Sequence, residues 1–144
     1  MFLANYNSEY KINCMKTFLL TVGWAFLAMS FVVQENSLDQ IFNAFKKADT
    51  EEIAQSFDTY VDLKFLDKDE IKNISKNQAS IALKTFFTKN AITGFEKVSN
   101  RDLGSTTYLV GKLISSDKNN KGYNITVLIK SQAGKFRIIS LRIS

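Results

Sequence analysis

The chain predicts an α+β domain, with three helices packed on one face of a twisted antiparallel sheet in the order α-α-β-α-β-β-β-β. Two observations carry this. Helix-start signals and helical periodicity fill the first half of the chain after residue 36, and turn-separated segments of strand periodicity fill the second half. Helices first and an antiparallel meander after them fit a layer of helices covering one sheet face.

The elements follow in chain order. Ser37 with Gln40, Asp49 with Glu52 and Ser75 with Gln78 each have the spacing at which an N-cap side chain and the third helical residue satisfy orphan backbone donors. Leu38, Ile41, Phe42 and Phe45 recur at helical spacing, as do Ile53 and Phe57, then Ala79, Ala82, Leu83, Phe86 and Phe87. Each helix thus carries one apolar stripe. Between the second and third helices, Val61, Leu63 and Phe65 alternate with Asp62 and Lys64, the period of a half-buried strand. Four further strands are expected at Ile92 to Asn100, Thr106 to Ser115, Tyr123 to Ser131 and Phe136 to Ile143. The turn-rich stretches 117–122 and 132–135 separate the last three.

Ahead of this domain lies a segment of different character. Met15-Lys16-Thr17 opens an apolar run, Phe18 to Val33, that ends at Gln34-Glu35-Asn36. One basic residue, an apolar core and a small-residue exit at Ala28-Met29-Ser30 describe an export signal at 15–30, cleaved after Ser30. The run rises only about 24 Å as a helix, short of a relaxed membrane span. An uncleaved anchor, making the protein a membrane-tethered scaffold, is the alternative, and contact with a membrane is expected only through it. Residues 1–14 read as a misassigned start or a disordered extension, and 31–144 as a single domain.

Composition removes several function classes. The chain has no histidine and no proline, and its one cysteine is Cys14. The expected mature domain therefore has no Ser-His-Asp relay, no Cys-His pair and no usual zinc ligand set. The formal net charge is +5, but the lysines are scattered and the only arginines are Arg101, Arg137 and Arg142. A solvated basic surface is expected, with no nucleic-acid partner. Acidic residues are concentrated from Glu35 to Glu70 and basic ones from Ile71 onward, which makes the surface dipolar. Asp67-Lys68-Asp69-Glu70 lacks the spacing and glycine of a calcium loop and reads as solvated. No metal and no cofactor are expected.

Several segments also carry a resemblance. The order helix, helix, strand, helix and four strands resembles the nuclear transport factor 2-like (cystatin-like) fold, and Ile41-Phe42-Asn43-Ala44-Phe45, Ala48-Asp49, Phe57, Leu83-Lys84-Thr85-Phe86-Phe87, Tyr108-Leu109-Val110-Gly111 and Leu141-Arg142-Ile143, in this order, carry a closer resemblance. More closely, the chain is similar to the small exported bacterial proteins grouped as domain of unknown function 4783. That resemblance implies a cone in which a curved sheet wraps the helices and a periplasmic or extracellular address in a bacterium. It also implies a tendency to dimerise through the sheet, and it brings no established activity.

Strand parity assigns faces to the meander. With Lys112 opposite Thr126 and Thr126 opposite Ser140, Leu109, Gly111, Leu113, Tyr123, Ile125, Val127, Ile129, Ile139, Leu141 and Ile143 form the core face. On the other face, Tyr108, Val110, Leu128, Phe136 and Ile138 gather as an apolar patch, expected to be an interaction surface or to be covered by the N-terminal segment or a loop. Lys112, Thr126, Asn124, Ser140 and Arg142 form a polar end that could receive an anion. Tyr123 points into the cone, the one polar group there. The expected function is an exported, non-enzymatic binding or assembly protein that self-associates as a homodimer, with an unidentified protein or small-molecule ligand. A small enzyme with a cone-shaped pocket resembling ketosteroid isomerase is the alternative, and it needs a buried carboxylate near Tyr123. No catalytic residue is assigned.

Overall fold

The computed structural model describes residues 37–119 and 122–144. The expected export segment, its cleavage after Ser30 and Cys14 lie outside the described residues.

Ser37, Asp49 and Ser75 each cap a helix as expected, but the reciprocal bond from the third helical side chain forms only at Ser37. In α1 (Leu38–Lys46) the Ser37 hydroxyl accepts the Gln40 N–H while the Gln40 side chain accepts the Ser37 N–H, a reciprocal capping box. For α2 (Thr50–Gln55) the Asp49 carboxylate accepts from the Glu51 and Glu52 amides, and a carboxylate there also favours the positive end of the helix. Strand β1 (Phe57–Phe65) follows at once, so Phe57, expected in the α2 stripe, is instead its first, buried residue. Then comes β2 (Ile71–Ser75), and Ser75 caps α3 (Lys76–Lys89) through the Gln78 amide. The remaining strands are β3 (Ile92–Asp102), β4 (Thr106–Ser115), β5 (Tyr123–Gln132) and β6 (Lys135–Ile143).

Two features correct the expected architecture. The order is α-α-β-β-α-β-β-β-β, because β2 adds a strand ahead of α3. The six-stranded sheet, ordered β2-β1-β6-β5-β4-β3, is also mixed: β1 runs parallel to β6, while every other neighbour pair is antiparallel. The parallel pair joins segments at opposite ends of the domain, a contact that no local pattern announces.

Among the described residues, one sheet face and three helices enclose a core. Ile41, Ala44 and Phe45 of α1, Ile53 and Ala54 of α2, and Ala79, Leu83, Phe86 and Phe87 of α3 meet the inward residues of β1 and β3 to β6. Each fully buried leucine, isoleucine or phenylalanine contributes roughly 1.5–3 kcal/mol by leaving water. Phe45 and Phe95 pack at 5.5 Å between ring centroids. The Phe95 ring covers Gly111, where a β-carbon would overlap it.

Backbone bulges decide which residues face inward. Between β5 and β6, Leu128 pairs with Ser140 but Ile129 pairs with Ile138, so Ile139 is an extra residue. The strand changes phase there. Phe136 and Ile138 face the core on one side of the bulge, and Leu141 and Ile143 face it on the other. In β3, Ile92 and Phe95 are likewise three apart and both buried, with a register shift between Ile92 and Gly94.

Candidate functional site

The sheet face turned away from the helices is built by β1 and β3 to β6. Cross-strand pairing lays two rows over it. One row runs Asp62, Ser140, Leu128, Tyr108, Arg101, and the next runs Lys64, Arg142, Thr126, Val110, Ser99. Where the rows meet on β4, β5 and β6, Tyr108, Thr126, Leu128, Ser140 and Arg142 line a depression of about 170 Å³. Tyr108 is 39% exposed, whereas Val110, Leu128 and Ile139 are half-buried.

The register differs by two residues from the one expected. Lys112 lies opposite Asn124, Thr126 opposite Arg142, and Ser140 opposite Leu128. A two-residue slip leaves side-chain faces unchanged, so the face assignment of β4 and β5 holds in spite of it. The bulge, which slips by one, does change faces. Ile138 is fully buried and Phe136 packs against the core, so neither belongs to the outer patch; Ile139, expected inside, is half-exposed. Tyr108, Val110 and Leu128 stay on the outer face. The doubled Ile138-Ile139 was the signal: apolar positions 136 and 138 alternate out of phase with 141 and 143, which only an inserted residue reconciles.

The polar end and the apolar end are not separate. Thr126, Ser140 and Arg142 share the depression with Tyr108 and Leu128, while Lys112 lies outside it. Arg142 Nη2 donates to Glu70 Oε1 at 2.7 Å, so its charge is matched within the domain and an anion would have to displace a carboxylate. The same ion pair takes Glu70 out of the acidic loop. Among the described residues no group of three or more candidate metal ligands gathers. Asp62 accepts the Asn73 amide at 2.8 Å, which ties β2 to the sheet.

On the core side of the sheet, Tyr123 is half-buried, and its hydroxyl donates to Asn90 Oδ1 at 2.7 Å. Its ring meets Phe86 edge-on, with centroids 5.3 Å apart. The amide of Asn90 in turn donates to the Phe86 carbonyl. The group next to the phenol is thus a carboxamide that cannot take up a proton, where the enzyme alternative needs a carboxylate. Among the described residues the buried polar side chains are Ser56 and Thr107, and the Thr107 hydroxyl bonds Asp102.

This geometry is shared with known folds. The domain is nuclear transport factor 2-like: a chain of that class is 14% identical over 74% of this chain and 92% of its own, with a TM-score of 0.58. A domain with a cystatin-like fold from Nostoc punctiforme matches at 12% identity over 74% and 70%, with a TM-score of 0.54. The chain belongs to the family described as Domain of unknown function (DUF4783), whose model matches residues 38–144. A member from Bacteroides ovatus is 24% identical over 76% of this chain and 94% of its own, with a TM-score of 0.66. No curated protein matches in sequence.

Proposed function

We propose that this protein is an exported binding or assembly domain of a bacterial envelope that associates with a second copy of itself through the outer face of its sheet. One observation carries the reading. Among the described residues the helices cover one face, and on the other Tyr108 and Leu128 line a shallow depression, with Val110 paired beside it to Thr126. A sheet face that meets only water is polar along its length. A second copy suits the surface better than a partner of one charge, because acids and bases alternate across it. Asp62 neighbours Lys64, Glu96 lies opposite Lys112, and Glu70 holds Arg142. Related by a two-fold axis, such a face meets its own complement.

Export is supported by the order of segments. The family match begins at Leu38, just after the apolar run ends at Gln34-Glu35-Asn36. Native mass spectrometry of the protein taken from its own cell envelope tests both parts. The reading expects a mature chain beginning at Phe31, recovered as a dimer. A mass retaining Lys16 would contradict cleavage, and a monomer at every concentration would contradict association.

A further inference from the structure

We propose that a second site, a cleft between α3 and the end of β1, binds a small aromatic carboxylate. The cleft has a volume of about 240 Å³ and lies on the helix side of the molecule, away from the outer sheet face. Its apolar wall is made by Phe65, Phe86 and Ala82, with the two phenylalanine rings stacked at 5.1 Å and 13°. Lys68 and Lys89 stand at the same cleft. The ion pairs among the described residues are Lys47 with Glu52, Lys84 with Glu51 and Arg142 with Glu70, so neither cleft lysine is held in an ion pair there. Asp67 and Asp69 flank Lys68 in sequence and are exposed, and the half-buried Glu70 is held by Arg142.

The walls are fixed before any ligand arrives. Leu66 adopts a left-handed backbone with φ 54°, a conformation that costs a bulky residue about 1 kcal/mol. Its N–H donates to the Ile143 carbonyl at 2.6 Å, which holds it there. On the other wall, Asn90 is held from both ends of its amide by Tyr123 and the Phe86 carbonyl. Strain of this kind persists where the surroundings over-determine it, and it concentrates at binding sites.

Size and charge together specify the ligand. An apolar cavity of about 150 Å³ accommodates one benzene ring. The cleft therefore holds one ring with a short acid arm. The ring lies against Phe65 and Phe86, and the carboxylate sits between the two ammonium groups, which match its charge.

The test is a titration of the full chain with phenylacetate, followed by amide NMR shifts. Saturable shifts are expected at Leu66, Thr85 and Asn90. Affinity should fall roughly tenfold in the Lys68→Glu/Lys89→Glu double variant, as expected for losing two exposed ion pairs. Phenylethanol, which lacks the charge, should bind weaker by a similar factor. Should charge reversal perturb the fold, the Lys68→Gln/Lys89→Gln variant carries the same expectation. Absence of saturable shifts, or undiminished binding by a double variant with a native spectrum, overturns the site. Hexanoate binding as tightly as phenylacetate overturns the aromatic assignment.

Discussion

Gly111 and Ala133 show how single positions hold this fold. Gly111 sits on β4 under the Phe95 ring, and any side chain there meets that ring and the Glu96 carbonyl. Gly111→Ala is expected to cost about 1–3 kcal/mol by overpacking, measured by urea unfolding, and Phe95→Leu in the same chain should recover part of it. Ala133 presents the opposite case. With Gly134 it forms the two-residue turn between Gln132 and Lys135, and both residues have positive φ, 52° and 75°. That is the hairpin turn in which Asn-Gly is favoured. Ala133→Asn should therefore raise stability by about 0.5–1 kcal/mol, read from the same denaturation midpoint. An unchanged or lowered midpoint would mean that the turn is not of this type.

Elements are held by less local forces, and the junction of α2, α3 and β6 is the clearest example. Lys76 Nζ and Arg137 Nη1 both donate to the Gln55 carbonyl at the end of α2, at 2.9 and 3.3 Å. Burial, and then the neighbouring Arg137 guanidinium, hold the Lys76 ammonium below its ordinary pKa. The folded chain thus binds that proton more weakly than the unfolded chain. The resulting penalty is present at neutral pH and is relieved as pH rises through the folded pKa toward the ordinary lysine value. Arg137→Gln should move the Lys76 titration upward, followed by NMR of its side-chain carbon next to the ammonium. It should also narrow the alkaline window in which stability rises. A titration that stays in place would assign the shift to burial alone.

At this scale the sequence was legible where the signal was local. The Ser37, Asp49 and Ser75 caps, and the strands at Thr106–Ser115 and Tyr123–Gln132, depend on neighbours within a few residues. β2 escaped because it is a short edge strand. Ile71 is exposed, Asn73 has positive φ, and no apolar alternation is needed where neither face is sealed. The parallel β1–β6 pair escaped because its partners, such as Leu63 and Leu141, are far apart in the chain. The outer depression was partly legible, since parity placed Tyr108, Leu128, Thr126, Ser140 and Arg142 on one face. The Ile138-Ile139 bulge turns on a one-residue change of phase, and the Arg142–Glu70 ion pair joins residues far apart in the chain. The cleft by Phe65 and Phe86 required knowing that the end of β1 meets the last turns of α3.

At the scale of the domain, the asymmetry of the sheet is the main structural fact. Among the described residues, one face is sealed by three helices, and the other offers half-buried apolar side chains among alternating charges. The two edges of the sheet give less opportunity for association. β2 is short and carries Lys72, while β3 bears two register shifts and the charged residues Glu96, Lys97 and Arg101. Those devices discourage edge-to-edge pairing, and the proposed association uses the outer face instead. Leu128 lies in the middle of it, paired with Tyr108 on one side and Ser140 on the other.

Sedimentation velocity of the wild-type chain and of Leu128→Asp, over a wide concentration range, tests this most directly. A charge at that position meets its own copy across a two-fold axis without touching the core, so the account predicts a concentration-dependent dimer for the wild type. It predicts a monomer of unchanged circular dichroism for the variant. A wild-type chain that stays monomeric at the highest concentration, or a Leu128→Asp chain that dimerises as well as the wild type, would contradict it.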